Sequence, residues 1–136
     1  MSEATLSTAG VLLVTVAGIA YGGATLLRFI ARRTPGYLDN PVRSSLFRAG
    51  HAHAGVLVIL ALVAMPYIDQ AGLSGAAEGL LRAGFTLPPI LMPLGFFLSV
   101  APPKAEKPNR VLTLTWAGAA VLVAAVVGLG VALIAD

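Results

Sequence analysis

Four long apolar segments, separated by short polar stretches, dominate the pattern of hydrophobic and polar positions along the chain. Each is close to the roughly 20 residues that a helix needs to cross about 30 Å of hydrocarbon. They lack the alternation of apolar and polar residues that is typical of strands, and hydrocarbon leaves backbone groups without water partners, so each segment is predicted to be helical. The predicted membrane spans are residues 9–27, 49–68, 83–101 and 111–135.

The stretches between these spans are short, so consecutive helices are expected to pack as antiparallel neighbours. The pattern therefore predicts an all-α fold, an integral membrane four-helix bundle that forms a single transmembrane domain over residues 1–136. The first span follows Met1-Ser2-Glu3 and precedes arginines. That order is typical of an uncleaved span rather than of a secretory signal peptide.

Composition and charge agree with a membrane protein and set its expected orientation. The chain is 57% hydrophobic and 11% charged, against about 25% charged residues in a soluble domain. Eight of the nine lysines and arginines lie in stretches 28–48 and 104–110. The positive-inside rule puts these two stretches in the cytoplasm and both termini outside, which predicts a multi-pass protein of a bacterial inner (plasma) membrane. Tyr37, among the arginines, is expected at headgroup level.

The same arrangement narrows the classes of partner and chemistry. The net charge of +3 does not indicate a nucleic-acid partner, because the basic residues flank spans. The chain has no cysteine, which excludes disulfides, thiolate metal sites, iron–sulfur clusters and cysteine nucleophiles. It also lacks a Ser-His-Asp set within reach, paired carboxylates in a span, a phosphate loop and a Rossmann fingerprint. An enzyme is therefore not expected.

Small residues recur at four-residue spacing in the first and last spans. The first span has Gly18 and Gly22, and the last has Ala120, Ala124, Gly128 and Ala132. Small residues on one helix face let helices approach closely in a bilayer. We expect these residues to pack within the bundle or, alternatively, to form the interface of a homo-oligomer or of a larger membrane complex.

Three prolines, Pro88, Pro89 and Pro93, interrupt the third span. Each removes a backbone donor and clashes with the preceding turn, so neighbouring groups must satisfy the carbonyls that are freed. Broken helices at membrane depth often line solute paths. Two interpretations stay open: an ordinary kink that fits the helix to its neighbours, and one wall of a cavity.

The two histidines of the chain, His51 and His53, lie at the predicted cytoplasmic start of the second span, after Arg48. Ionisable groups within a span are costly and indicate a function. Two residues apart on a helix, the rings point roughly 200° apart, so they cannot grip one metal ion from one side. No span offers a carboxylate or a further histidine, and no metal site is predicted. The rings can instead serve two different neighbours, or simply cap and anchor the helix.

The stretch His51-Ala52-His53 resembles the haem-ligating helix of haem-copper oxidases and nitric oxide reductases, in which two histidines serve two haems on opposite helix faces. The resemblance covers these three residues. The chain lacks the further histidines that ligate copper and complete the low-spin haem in that family, so terminal oxidase activity is not implied. The four-span layout with residues 48–55 also resembles small uncharacterised bacterial membrane proteins, which implies no activity.

Three functions follow as expectations. The first is a channel, transport component or accessory subunit whose cytoplasmic-side site consists of Arg48, His51 and His53, with the kinked third helix as a second wall. The second is an electron-transfer component that binds haem b or quinone, with haem iron held by His51 or His53. The third is a purely structural membrane subunit without a ligand.

Overall fold

The computed structural model describes residues 1–135, which form helices joined by short loops. The helices are α1 (Glu3–Ala31), α2 (Pro41–Gln70), α3 (Ala76–Thr86), α4 (Pro88–Ser99) and α5 (Thr113–Ala135), with a 3₁₀ turn at Arg110–Leu112. Four segments are long and apolar enough to cross a membrane: α1, α2, α3 together with α4, and α5 with its preceding turn. The predictions of an all-helical fold and of four apolar segments at these places are confirmed.

The first two helices begin earlier than the predicted spans because polar caps extend them. α1 begins at Glu3 instead of residue 9, since the Ser2 hydroxyl accepts a hydrogen bond from the Thr5 amide at 3.1 Å. α2 begins at Pro41 instead of residue 49, since the Asn40 side chain accepts from the Arg43 amide at 3.1 Å. Such caps satisfy amides that have no partner inside the helix.

The third segment breaks at Leu87, directly before the first two prolines. Leu87 still donates to the Ala83 carbonyl at 2.9 Å, and the Thr86 hydroxyl donates to the Arg82 carbonyl at 2.9 Å. The three prolines lie in packed positions: Pro88 and Pro93 are buried, and Pro89 is half-buried. Leu87 itself keeps right-handed helical dihedral angles, so the prolines fit within a nearly continuous helical segment, and neither a cavity wall nor an ordinary kink is decided by their positions.

The helices lie in an open row rather than in a closed bundle. α2 and α5 both pack along the α3–α4 segment and touch each other only over a short stretch. Within residues 1–135, α1 packs along α2 and along no other helix. α1 and α5 therefore lie at opposite edges of the row.

Close packing inside the chain uses small residues other than those singled out in the sequence. Gly84 meets Ala125, Gly118 meets Met92, and an added methyl group at Gly95 would lie 2.6 Å from the Thr115 amide nitrogen. These contacts join α3–α4 to α5 at backbone distance.

The small residues at four-residue spacing have few neighbours in the chain. Ala120, Ala124 and Gly128 are exposed and Ala132 is half-buried. A methyl group at Gly18 would have no neighbour within 4 Å, and one at Gly22 would meet His51. The face with Ala120, Ala124 and Gly128 is thus largely free for another chain, and the homo-oligomer stays a prediction.

The row of helices has two ends. The terminal end comprises residues 2–5 and 69–82, and the loop end comprises residues 32–40 and 100–109. Because consecutive segments run antiparallel, the N-terminal residues and the end of α5 at Ala135 lie at the terminal end, and the two basic stretches lie at or beside the loop end.

Candidate functional site

His51 packs against α1 at a place where α1 has no side chains. Its half-buried ring faces Gly22 and Gly23, and a methyl group at Gly23 would lie 3.0 Å from His51 Nε2. The two glycines thus form a notch that the imidazole occupies. No hydrogen bond from residues 1–135 reaches either ring nitrogen of His51.

His53 faces α4 and has a fixed orientation. Its Nδ1 lies 2.7 Å from the Ala49 carbonyl oxygen, and its ring centroid lies 4.9 Å from that of Phe96. A carbonyl oxygen can only accept a hydrogen bond, so Nδ1 must carry the proton. In the neutral ring, Nε2 then holds a lone pair, and no donor within residues 1–135 bonds to it.

The three predicted site residues do not form one cluster. The histidine rings contact different helices, α1 and α4, in keeping with their opposed positions on α2. Arg48 is exposed, and its Nε donates to the Ser44 carbonyl at 3.2 Å in the preceding turn of α2. On α4, Phe96 rather than a proline forms the ring contact with His53. The structure therefore has the two histidine rings on opposite sides of α2.

Arg43 ties the two loops of the loop end together. Its guanidinium donates to three backbone carbonyls, those of Gly36, Val100 and Ala101, at 2.9, 3.1 and 3.3 Å. It also lies 4.5 Å from the centre of the Phe47 ring. In the sequence Arg43 counted only as a charge that sets orientation, because the carbonyls it binds are distant along the chain.

Tyr37 is buried between helices. Its side chain is 1% exposed and its ring packs against Phe29 of α1 and Phe47 of α2, with centroids at 5.4 and 6.2 Å. Its hydroxyl has no hydrogen-bond partner within the described chain. The ring thus packs inside the protein, and its position at headgroup level stays a prediction.

A polar network that the sequence did not reveal occupies the terminal end. Asp69 Oδ1 accepts hydrogen bonds from Arg82 at 2.6 Å, Thr5 at 2.8 Å and Ser2 at 2.9 Å. Arg82 also donates to Thr5 at 2.7 Å and to Glu78 at 2.7 Å. The side chains of Asp69 and Arg82 are only 13% and 12% exposed.

This network joins three helices through satisfied groups. It holds the first turn of α1 against the end of α2 and against α3, and it is the one place where α3 reaches α1 in residues 1–135. The two charged residues flank the same short connection, Asp69 before it and Arg82 after it. In two antiparallel helices, residues on either side of the connection lie at the same height along the helix axes. The sequence positions of Asp69 and Arg82 could therefore have predicted their contact.

These features define the class of the protein as an all-helical chain with four candidate membrane spans. Comparison with protein-family models, curated proteins and solved structures found no match. Within residues 1–135, no group of three or more His, Asp or Glu residues could hold a metal ion. Three features of the chain bear on its function: the histidines, the polar network and the open row of helices.

Proposed function

We propose that the protein is a small multi-pass membrane protein that acts as an accessory subunit or transport component, with its loop end in the cytoplasm of a bacterial cell and both termini outside. The distribution of charge supports this orientation. Eight of the nine basic residues lie near the loop end, and the ninth, Arg82, is bound to Asp69 and Glu78. Uncompensated positive charge is thus confined to the end that is proposed to stay inside.

The absence of native cysteine allows a direct test of this orientation. Ser74→Cys places a thiol at the terminal end, and Glu106→Cys places one at the loop end, both at exposed positions. A membrane-impermeant maleimide added to intact cells should label the first variant at once and the second only after permeabilisation. The reverse pattern would contradict the proposed orientation.

The observation that carries the functional proposal is the pair of imidazoles inside a span with unused nitrogens. His53 Nε2 and both nitrogens of His51 lack protein partners among residues 1–135. Within a membrane such groups indicate a bound polar molecule or a proton path. Within residues 1–135, neither a carboxylate nor a hydroxyl is bonded to either ring, which favours binding or passage over catalysis.

The open row of helices favours a subunit over a self-contained channel. α2 lies between the two rings, so one chain by itself does not bring them to a common path. On the outward side of α2, the exposed residues Ala52, Val56 and Ile59 lie between the two histidines. A second chain against this face would lie between both histidines, and the exposed small residues Ala120, Ala124 and Gly128 offer a second contact face on α5. The working form is therefore proposed to be a homo-oligomer or a larger membrane complex.

Cysteine cross-linking tests the homo-oligomer through α5. Ala124→Cys lies on the face with small residues, and Val126→Cys is an equally exposed position on the other side of α5. Mild oxidation of membranes should convert the first variant to disulfide-linked dimers and leave the second monomeric. Monomers in both variants, or equal dimers in both, would contradict an interface on this face.

Proton flux tests the transport role. Purified protein in liposomes that contain a pH-sensitive dye should carry protons when a potassium diffusion potential is imposed. His51→Ala and His53→Ala should each lower this flux if the rings act in one path. A flux that neither substitution changes would dispose of the histidine path.

A second candidate, a haem b- or quinone-binding electron-transfer component, is favoured by the fixed ring of His53. Because His51 and His53 lie on opposite sides of α2, they cannot ligate one iron, and His51 is covered by α1. A haem with two histidine ligands would need His53 from each of two chains. Purified protein should then show a Soret band that His53→Ala removes and His51→Ala keeps. Protein without a Soret band that binds no quinone or quinol and carries no proton flux would leave the purely structural subunit.

A further inference from the structure

The orientation of His53 fixes which hydrogen bonds the ring can make with a ligand. The bond from Nδ1 to the Ala49 carbonyl requires the proton on Nδ1, so a neutral His53 offers a ligand only the acceptor Nε2. The contact with the Phe96 ring is a second restraint on the orientation of the imidazole, in addition to the hydrogen bond. His53 is therefore a preformed acceptor, held as histidines often are when they bind a ligand through the opposite nitrogen.

The depth of His53 makes water a poor partner for this nitrogen. His53 lies five residues beyond Arg48 along α2, which corresponds to about 7.5 Å of helix rise. Arg48 is exposed and marks the polar boundary of the span. A lone pair held in hydrocarbon without a donor is unfavourable, so a molecule that brings a donor to this depth is expected to bind.

The surroundings of His53 select an uncharged ligand with an apolar body. One turn before and one turn after His53, α2 carries Ala49, Gly50, Val56 and Leu57, and α4 adds the Phe96 ring. None of these can pair with a charge. Ala49 is half-buried and Ala52 is exposed, and their small side chains suit a flat ring that approaches along the exposed side of α2.

We propose that His53 binds the head group of a membrane quinol, with a quinol hydroxyl donating to Nε2. The inference rests on the second candidate function and adds the residue and the redox form that is bound. A quinone carries carbonyl oxygens in place of the hydroxyls, and these can only accept a hydrogen bond. The reduced form therefore binds more tightly than the oxidised form, by about tenfold for one hydrogen bond.

Nitrogen-15 NMR of histidine-labelled protein tests the proposal without a substitution. Long-range proton–nitrogen spectra in nanodiscs identify the protonated nitrogen of each ring. His53 should appear with the proton on Nδ1, and decylubiquinol should shift its Nε2 resonance while decylubiquinone should not. A shift by both forms, or by neither, would overturn the proposal.

Affinity measurements separate this inference from the broader function. Decylubiquinol should bind about tenfold more weakly to His53→Ala, and Val63→Ala, at an exposed position about three turns farther along α2, is the control that should keep full affinity. Equal losses in both variants would overturn the assignment to His53. If no quinol binds although histidine-dependent proton flux persists, the quinol inference fails and the transport proposal stands. If quinol binds without such flux, the inference holds and the transport role fails.

Discussion

At the terminal end, Asp69 accepts hydrogen bonds from Ser2, Thr5 and Arg82, whereas near the loop end His53 bonds only to a carbonyl of its own helix. Both places hold ionisable groups in an apolar chain, where such groups are costly. At the terminal end Asp69 and Glu78 each lie within hydrogen-bond distance of the opposite charge of Arg82. The histidines have no such partner, and they lie on different sides of α2.

This difference separates a structural role from a binding role. A network with satisfied donors and acceptors holds helices together and has little capacity left for a ligand. A histidine with an unused ring nitrogen can still bind a ligand. Substitutions at the terminal end should therefore change stability most, and substitutions at His53 should change ligand binding most.

The largest loss of stability is expected for Arg82→Met. The substitution removes the cation that Asp69 and Glu78 share, and it should lower the free energy of unfolding by about 2–3 kcal/mol, less than for a fully dry ion pair because the network lies at the helix ends. Thermal unfolding in detergent, followed by circular dichroism, measures the effect. The double variant with Asp69→Leu should recover part of the loss. Unchanged stability in Arg82→Met would mean that the network does not stabilise the fold, and the terminal end would then have no structural role to set against the binding role of the histidines.

The sequence predicted the helices well because hydropathy is a local property. The hydropathy of each apolar segment depends only on the residues of that segment, and the four predicted spans coincide with the four apolar segments of the structure. The starts of α1 and α2 were missed because Ser2 and Asn40 cap polar turns that hydropathy does not recognise as helix. Local patterns therefore predicted the apolar segments themselves better than the residues at which the helices begin.

Contacts between helices were far less predictable. The sequence singled out Ala120 and Ala124, yet the chain packs through Gly84, Gly95 and Gly118. Spacing alone shows that a face is smooth, and it does not tell which neighbour covers that face. Opposed directions for His51 and His53 followed from helix geometry, but the covering of His51 by Gly23 depends on α1, which is distant in sequence.

The next largest effect is expected at the loop end, from Arg43→Ala. Three carbonyls would lose a charged donor, which should cost about 2 kcal/mol and loosen residues 32–40 from residues 100–109. Lys107→Ala is the control, since its exposed side chain should contribute within about 0.5 kcal/mol. Unfolding temperature and the rate of proteolysis in the loops report both effects. Equal behaviour of the two variants would show that Arg43 does not join the loops.

A smaller effect is expected where α1 covers His51. Gly23→Leu would push the imidazole from its notch and should destabilise the chain by about 1–2 kcal/mol. Gly18→Leu is the matched control on the same helix, because no neighbour lies within 4 Å of that position. It should be neutral or slightly stabilising, since glycine is a poor helix former. Thermal unfolding of both variants compares them, and equal losses would mean that α1 does not cover His51.

The smallest effect, and the only one of opposite sign, is expected for Tyr37→Phe. The Tyr37 hydroxyl is buried without a partner in the described chain, so its removal should raise the free energy of unfolding by about 1 kcal/mol while the ring keeps its contacts with Phe29 and Phe47. Thermal unfolding of the two proteins under identical detergent conditions measures the difference. A loss of stability would mean that the hydroxyl bonds to water or to a ligand. The buried polar group of the loop end would then be hydrogen-bonded, as the polar groups of the terminal end are. The two regions would differ only in the unpaired nitrogens of the histidines.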